Sequence, residues 1–236
     1  MAKSTGFQFK QFFIAHDKCA MKVNTDSIIL GSIVNTTQCK QILDLGTGSG
    51  LLAIMLAQRT AYDCQITAIE IEQNAFIQAT ENIHHSPWAD RITPIQADIL
   101  QLTLTDKFDL IVSNPPYFEH SLATRSSERD LARSTPQSHL IWLEQAKKWL
   151  KETGHIAFIL PTETSERLIQ QAKHLDLHCV EKWNIITKEG KKPKRSITIF
   201  SQQMTAYIEQ ELIIYQSNNE YTQRFKELTK DFYLNG

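Results

Sequence analysis

"QILDLGTGSGLLAIMLAQRT", Gln41 to Thr60, decides the fold. A short apolar run, a glycine-rich turn and a longer apolar stretch read as strand, turn and helix. The strand is "QILDLG" (41–46) and the helix "LLAIMLAQRT" (51–60). Gly46, Gly48 and Gly50 occupy the turn between them. Without a Cβ, these positions allow positive φ and let a ligand touch the backbone. The amides opening the helix form an electropositive nest suited to a carboxylate or phosphate.

Outward from this unit, short apolar runs keep alternating with longer amphipathic ones, the pattern of a parallel α/β sheet. "QITAIEI" (65–71) is a second strand and "EQNAFIQATENIHH" (72–85) a helix ended by Pro87. "RITPIQADI" (91–99) is a third strand that Pro94 pushes toward a sheet edge. A fourth strand lies in "FDLIVSNPPY" (108–117), and residues 137–151 form a helix stopped by Gly154. Residues 155–161, 178–187 and 195–202 supply three more strands, with the helix "ETSERLIQQAKHL" after the first of these. Only a basic turn separates the last two strands, so they pair as an antiparallel hairpin, since a parallel pair needs a long crossover. The expected fold is a Rossmann-like α/β three-layer sandwich, with a seven-stranded, mostly parallel sheet and an antiparallel last strand. One domain covers residues 1–236, divided into an extension (1–38), a core (39–202) and a C-terminal extension (203–236). The N-terminal extension is extended or turn-like up to Asn24, where a helix capped by Thr25 or Asp26 begins. "YTQRFKELTKDFYL" (221–234) is a short amphipathic helix.

The 236 residues carry a formal net charge of −1, so any polyanion site has to be a local patch rather than a global field. The four cysteines form no CxxC pair, which favours free thiols in a reducing compartment. No secretion signal and no run of about 18 apolar residues is present, so a cytoplasmic protein without a membrane span is expected. The eight histidines include one i, i+4 pair, His174 and His178, and no metal site is indicated; His16, His120 and His139 could approach a pocket, but the sequence assigns them no role. Oligomeric state is not written in the sequence.

Three acidic residues accompany the glycine turn at strand ends. Glu70 ends the second strand, where a carboxylate can accept both hydroxyls of a ribose. Asp98 ends the third, where it can meet an adenine edge. Asp44 lies inside the first, placed to receive a ligand ammonium or to pin the loop. Ligands of open α/β folds bind at this carboxyl edge. The dinucleotide fingerprint would need a glycine where Leu51 stands, which argues against a nicotinamide cofactor.

"NPPY", Asn114 to Tyr117, breaks the fourth strand with two residues that lack an N–H and have φ fixed. The bland account is a proline turn closing a strand. The chemical account starts from an exocyclic aromatic amine, whose lone pair is delocalised into its ring. The Asn114 side-chain oxygen and the Pro115 carbonyl, stiffened by Pro116, can accept its two N–H groups and draw nitrogen toward tetrahedral geometry. Tyr117 offers a flat face for stacking, worth ~1–3 kcal/mol per base.

The glycine loop, the acidic strand ends and NPPY together resemble the class I S-adenosylmethionine-dependent methyltransferases over about residues 40–202. The resemblance implies S-adenosylmethionine as cofactor. It assigns the loop Gly46, Thr47, Gly48 and Gly50 to the methionine moiety, with Asp44 and Asn114 beside it. Glu70 and Ile71 go to the ribose, and Asp98 and Ile99 to the adenine. NPPY is similar to the motif of enzymes that methylate adenine N6, cytosine N4 or glutamine side-chain amides. "HDKCAMKVNTDSIILG" (16–31), "KPKRSITIF" (192–200) and the terminal "YTQRFKELTKDFYL" resemble the bacterial tRNA adenine-N6 methyltransferases of valine tRNA. That likeness implies transfer to the adenosine 3′ of the anticodon, and puts Lys22, Asn24, Thr25 and Asp26 near the methyl end, of which Thr25 and Asp26 are carried over. The alternative is glutamine N5 methylation of a protein such as a release factor, against which the missing N-terminal helical domain counts. Lys188, Lys191, Lys192, Lys194 and Arg195 concentrate charge in one turn, either a solvated tip or a tRNA backbone site. Arg125, Arg129 and Arg133 share one helical face if a helix forms there.

Overall fold

The computed structural model describes residues 5–116 and 138–234. In chain order they form β1 (Gly6–Gln8), β2 (Phe13–Ala15), α1 (Thr25–Ile33), β3 (Gln41–Leu45), α2 (Leu51–Arg59), β4 (Gln65–Glu70), α3 (Gln73–His84) and β5 (Ile92–Gln96). Then follow β6 (Phe108–Ser113), α4 (Ser138–Trp149), β7 (Leu150–Pro161), α5 (Thr162–Ala172), β8 (His178–Lys188), β9 (Arg195–Ser201), β10 (Ile208–Tyr215) and α6 (Gln223–Thr229). The sheet runs β10-β8-β9-β7-β6-β3-β4-β5. Every neighbour pair is parallel except those of β9, which runs against both β7 and β8. The carboxyl ends of β3, β4, β5, β6, β7, β8 and β10 therefore share one edge.

Helices cover both faces. On one, α1, α2, α3 and α6 contribute Ile28, Leu51 to Ala57, Ala79, Ile83 and Phe225 to a single core cluster. On the other, Leu143, Ala146 and Trp149 of α4 pack with Leu168 and Ala172 of α5. Strands buried on both faces read as near-continuous apolar runs, which is why "ILDL" and "LIV" stood out. Pro94 sits in the edge strand β5, where a missing N–H leaves no interior ladder bond unmade.

Four details differ from the expectation. The sheet has eight strands, not seven, because β10 adds in parallel to β8. Its first half, Ile208 to Glu211, is exposed or half-buried, so only Leu212 and Ile214 carry a buried signal. Gly154 does not stop α4, which ends at Trp149 and runs straight into β7. Gly154 lies within β7, where a Cβ would stand 2.8 Å from the Phe108 carbonyl oxygen, beside the register shift between β6 and β7. The cap of α1 is Asn24, in extended backbone, rather than Thr25 or Asp26. Finally, the N-terminal segment closes into the β1–β2 hairpin, whose Phe9, Phe12 and Ile14 are buried in the α2-side core.

Asn82 of α3 fastens that hairpin to the glycine turn. Its Oδ1 accepts the Ala15 amide at 3.0 Å, while Nδ2 donates to the Ala15 and Ser49 carbonyls, each at 2.8 Å. Buried polar groups left unpaired cost ~1–3 kcal/mol each. Asn82→Leu orphans three backbone groups at once, so urea unfolding should show a loss of about 3 kcal/mol or more. A loss under ~0.5 kcal/mol would mean that water replaces the amide without penalty.

Candidate functional site

Two bends leave adjacent strands side by side. Gly46 follows the end of β3, and Asn114 follows the end of β6. The strands pair through Asp44 and Val112, and the Ser113 hydroxyl donates to the Leu45 carbonyl at 2.7 Å. Neighbouring strands lie about 4.8 Å apart, so the glycine turn and the proline elbow emerge within touching distance. Gly46 and Gly48 have φ of +69° and +59°, the left-handed region that side chains with a Cβ avoid. A Cβ on Gly46 would meet the Trp142 ring at 3.0 Å, whereas one on Gly48 would meet nothing within 4 Å. The loop is therefore backed by Trp142 of α4 and open to a ligand at Gly48.

Carboxylates hold this loop. Glu70 is buried; its Oε2 accepts the Gly48 amide, and its Oε1 accepts the Ile71 and Glu72 amides, all at 2.9 Å. The Thr47 amide donates to the Ile69 carbonyl at 2.9 Å, tying the loop to β4. Asp44 is buried too and accepts the Thr47 hydroxyl at 2.5 Å. Burial pushes the Asp44 carboxyl up to about 7, with the Glu70 charge adding to the rise and the Thr47 and Ala53 hydrogen bonds opposing it. So Asp44 pins the loop from below, and Glu70 pins it from β4. Ile71 is exposed next to Glu70, and Ile99 is buried beyond β5 with its carbonyl held by Gln145 at 3.1 Å. Asp98 spends its carboxylate locally: Oδ1 accepts the Leu100 amide at 2.9 Å and Oδ2 the Gln101 side-chain amide at 3.2 Å. The row Asp98, Glu70, Gly46, Asn114 follows the strand order β5-β4-β3-β6 along one edge.

Asn114 is oriented from outside the sheet. Its Nδ2 donates to the Ser27 hydroxyl at 2.9 Å and lies 3.3 Å from Asn24 Oδ1. Asn24 Oδ1 also accepts the Ser27 amide at 2.9 Å as the helix cap. A backbone N–H can only donate, so the cap atom is an oxygen, and the Asn114 atom facing it is the NH2. The acceptor end of Asn114 is thereby Oδ1, the atom the amine chemistry needs. His139 of α4 supports the elbow, its Nε2 standing 3.3 Å from the Pro116 carbonyl. Burial keeps the His139 pKa below the usual imidazole value, so at neutral pH the ring is a neutral donor to that carbonyl.

The remaining sequence candidates are placed as follows. Asp26 pairs with Arg195, Oδ2 to Nε at 3.1 Å, clamping the start of α1 to the start of β9. Thr25 lies beside them on the first turn of α1. Lys191, Lys192 and Lys194 are exposed on the β8–β9 turn, and Lys188 donates to Asn219 at 2.8 Å. This turn is at the carboxyl edge, the side of the sheet that carries Asn114. His16 accepts the Val23 amide at 3.2 Å and so closes the loop before α1. Tyr117, His120, Arg125, Arg129 and Arg133 lie outside the described residues. Sequence reading missed Ser27, Asn82 and Trp142, named His139 without a role, and placed Asn24 near the methyl end without carrying it over; only Asn24, an Asn just ahead of "TDSIIL", carried a capping signal. Among the described residues no group of three or more His, Cys, Asp or Glu is placed to hold a metal, and no helix is long and apolar enough to cross a membrane.

The family model for the methyltransferase small domain matches residues 18–171. A protein of Actinobacillus pleuropneumoniae serotype 5b named tRNA1(Val) (adenine(37)-N6)-methyltransferase is 60% identical over the whole of both chains. Proteins with the same name from Glaesserella parasuis and Haemophilus influenzae are 56% and 50% identical, over 98% of this chain and 97% and 99% of theirs. In three dimensions the chain resembles a "predicted O-methyltransferase" of Agrobacterium tumefaciens, with TM-score 0.68 and 19% identity over 88% of this chain and 96% of that one. It also resembles the CcbJ methyltransferase of Streptomyces caelestis, with TM-score 0.57 and 10% identity over 76% and 96%. These two likenesses concern the fold.

The Asp44 pKa has a consequence for stability. Its folded value, about 7, exceeds the ordinary 3.8, so ionisation is harder in the fold than in the unfolded chain. Its contribution is greatest below about pH 4 and is lost as pH rises through about 7. Urea unfolding of Asp44→Asn should lack that decline and match or exceed wild type at about pH 8. Parallel pH profiles for the two proteins would contradict the buried acid.

Proposed function

The chain belongs to the methyltransferase small-domain family and groups with its tRNA1(Val) (adenine(37)-N6)-methyltransferases, and on that footing we propose its reaction. It transfers a methyl group from S-adenosylmethionine to the exocyclic N6 of adenosine 37 in tRNA1(Val), acting in the cytoplasm. The observation that carries this reading is the Asn114 amide at the strand end beside the glycine loop, its Nδ2 held by Ser27 and Asn24 so that Oδ1 is its acceptor end.

The donor set fits the cofactor. The loop offers amides and an open face at Gly48, and Asp44 lies behind it as the group suited to an ammonium. Glu70 already holds three amides, and a ribose diol would share its oxygens with them. Bound S-adenosylmethionine supplies an electrophilic methyl on a sulfonium. The protein's part is to orient the amine. Asn114 Oδ1 and the Pro115 carbonyl accept the two N–H groups, which localises the lone pair on nitrogen. Held at the glycine loop and Glu70, the sulfonium would supply the methyl and leave as a neutral thioether with the bonding electrons, and the amine nitrogen held by Asn114 and Pro115 would give up one proton to solvent. No strong base is needed beforehand, so catalysis is mainly positioning with electrostatic help. A loop adenosine is already outside a duplex, which lowers the cost of turning it into the pocket. The exposed lysines 191, 192 and 194 are suited to the loop phosphates, so affinity should fall with added salt.

Labelled cofactor and total tRNA should yield one N6-methyladenosine at position 37 of tRNA1(Val), read by mass spectrometry of the digested RNA. Label appearing only in protein would overturn the reading. Asn114→Ala should lower kcat by about 100-fold or more while cofactor affinity stays within a few-fold. Ser27→Ala, which removes one hydrogen bond to the Asn114 amide, should cost about 3–10-fold in kcat. Unchanged turnover in both variants would remove Asn114 from the chemistry.

A further inference from the structure

The cap and first turn of α1 send three side chains to two neighbours. Asn24 Oδ1 and the Ser27 hydroxyl accept from Asn114 Nδ2, at 3.3 and 2.9 Å. Asp26, between them in sequence, turns instead to Arg195, Oδ2 to Nε at 3.1 Å. Both side chains of this pair are only partly exposed, so salt screens it less than a pair in open water. A carboxylate in a first turn is also favoured by the helix dipole.

Arg195 is a fixed post. It opens β9 in register with Pro161 of β7 on one side and Ile185 of β8 on the other. The Lys194 amide before it donates to the Ile185 carbonyl at 3.2 Å, and the Lys194 carbonyl accepts the Thr162 amide at 3.3 Å. Arg195 Nη1 donates back to that same carbonyl at 3.1 Å, which orients the guanidinium. Another arginine holds the far end of α1: Arg59 Nη1 donates to the Gly31 and Val34 carbonyls at 2.6 and 2.9 Å. Gly31 packs so closely on α2 that a Cβ there would stand 3.0 Å from the side chains of Leu52 and Met55. The C-terminal half of α1 is thus anchored independently of Asp26, while Asp26 ties the capping end to the sheet.

We propose that Asp26 and Arg195 are positioning residues for the methyl transfer, acting through α1 on Asn114, rather than contacts to the cofactor and to the RNA backbone. The inference rests on the reaction assigned above. Lys191 and Lys192 are exposed on the turn, whereas the Arg195 guanidinium already holds a carboxylate of its own chain, which a phosphate would have to displace. A first turn released from β9 carries the Asn24 and Ser27 acceptors with it, and Asn114 follows them. Rate is sensitive to such shifts, since a misplacement of about 1 Å can cost about 100-fold.

Steady-state kinetics with tRNA and S-adenosylmethionine, beside tRNA affinity measured across a salt series, test the pair. Asp26→Asn and Arg195→Gln should each lower kcat about tenfold. The KM for tRNA, the salt slope and cofactor affinity should stay near wild type in both. The double variant should be no slower than either single one, because the same interaction is lost in all three. Lys192→Gln should show the opposite split, a raised KM and a smaller salt slope. Arg195→Lys, which keeps the charge without the planar fork, should fall between wild type and Arg195→Gln in kcat at an unchanged salt slope. If the neutral variants fail to fold, Arg195→Lys decides, and a wild-type kcat in it counts against positioning. Unchanged kcat in the folded single variants would overturn the role, as would losses that multiply in the double variant. So would weakened cofactor binding in Asp26→Asn, or a salt slope reduced in Arg195→Gln as much as in Lys192→Gln. Failure of the wild type to methylate any tRNA would instead overturn the reaction on which the inference rests.

Discussion

The Asn24 side-chain oxygen accepts two hydrogen bonds that have to be made together. One comes from the Ser27 amide and starts α1; the other comes from Asn114 and sets the proline elbow. A helix N-terminus has amides without intrahelical partners, and an Asn cap satisfies one of them for about 1 kcal/mol. Here the same atom also fixes which end of the Asn114 amide is turned toward α1. The N-terminal segment is thus tied to the proline elbow although none of it belongs to the central sheet. Asn82 and the Asp26–Arg195 pair secure it further, the first to α3 and the glycine turn, the second to β9.

The glycine loop shows the same economy of contacts. Three amides converge on Glu70, and Thr47 bonds to both Asp44 and Ile69, so the loop is shaped by the protein before any ligand arrives. Preorganised dipoles need little reorganisation when a charge appears. Burial is why the fold favours the acid form of Asp44, and the nearby Glu70 charge adds to it.

Much of this was legible in the residues. The order of strands, the reversed β9 and the edge position of β5 follow from run length, turn length and Pro94. The row of site residues follows from what stands at each strand's carboxyl end. What escaped has physical reasons. β10 buries only Leu212 and Ile214, too few to write a period of two. Gly154 reads as a helix stop in sequence, but its role is close approach between strands at a register shift, which only the pairing reveals. Ser27, His139 and Trp142 act through contacts at long sequence separation, and no local pattern announces them. Thr25 and Asp26 compete with Asn24 as caps on composition alone; the extended backbone at Asn24 decides among them.

A Rossmann-like sheet with a glycine loop hosts many methyl acceptors, so the sheet cannot by itself choose a substrate. The choice has to come from what is added at the carboxyl edge. In this chain the additions converge: the β1–β2 hairpin and α1 from the N-terminal side, β10, Tyr221 and Tyr233 from the C-terminal side. The Lys10 amide donates to the Phe232 carbonyl, and Phe9 and Phe232 are both buried in the core that α2 also joins. Each terminus therefore needs the other to bury its aromatic residues. Removing either would expose apolar rings, while leaving the Glu70 contact to the Gly48 amide in place. The terminal segments and the glycine loop are in this way separate parts of the chain, joined through Asn82 at the loop and through Asn24 at the proline elbow.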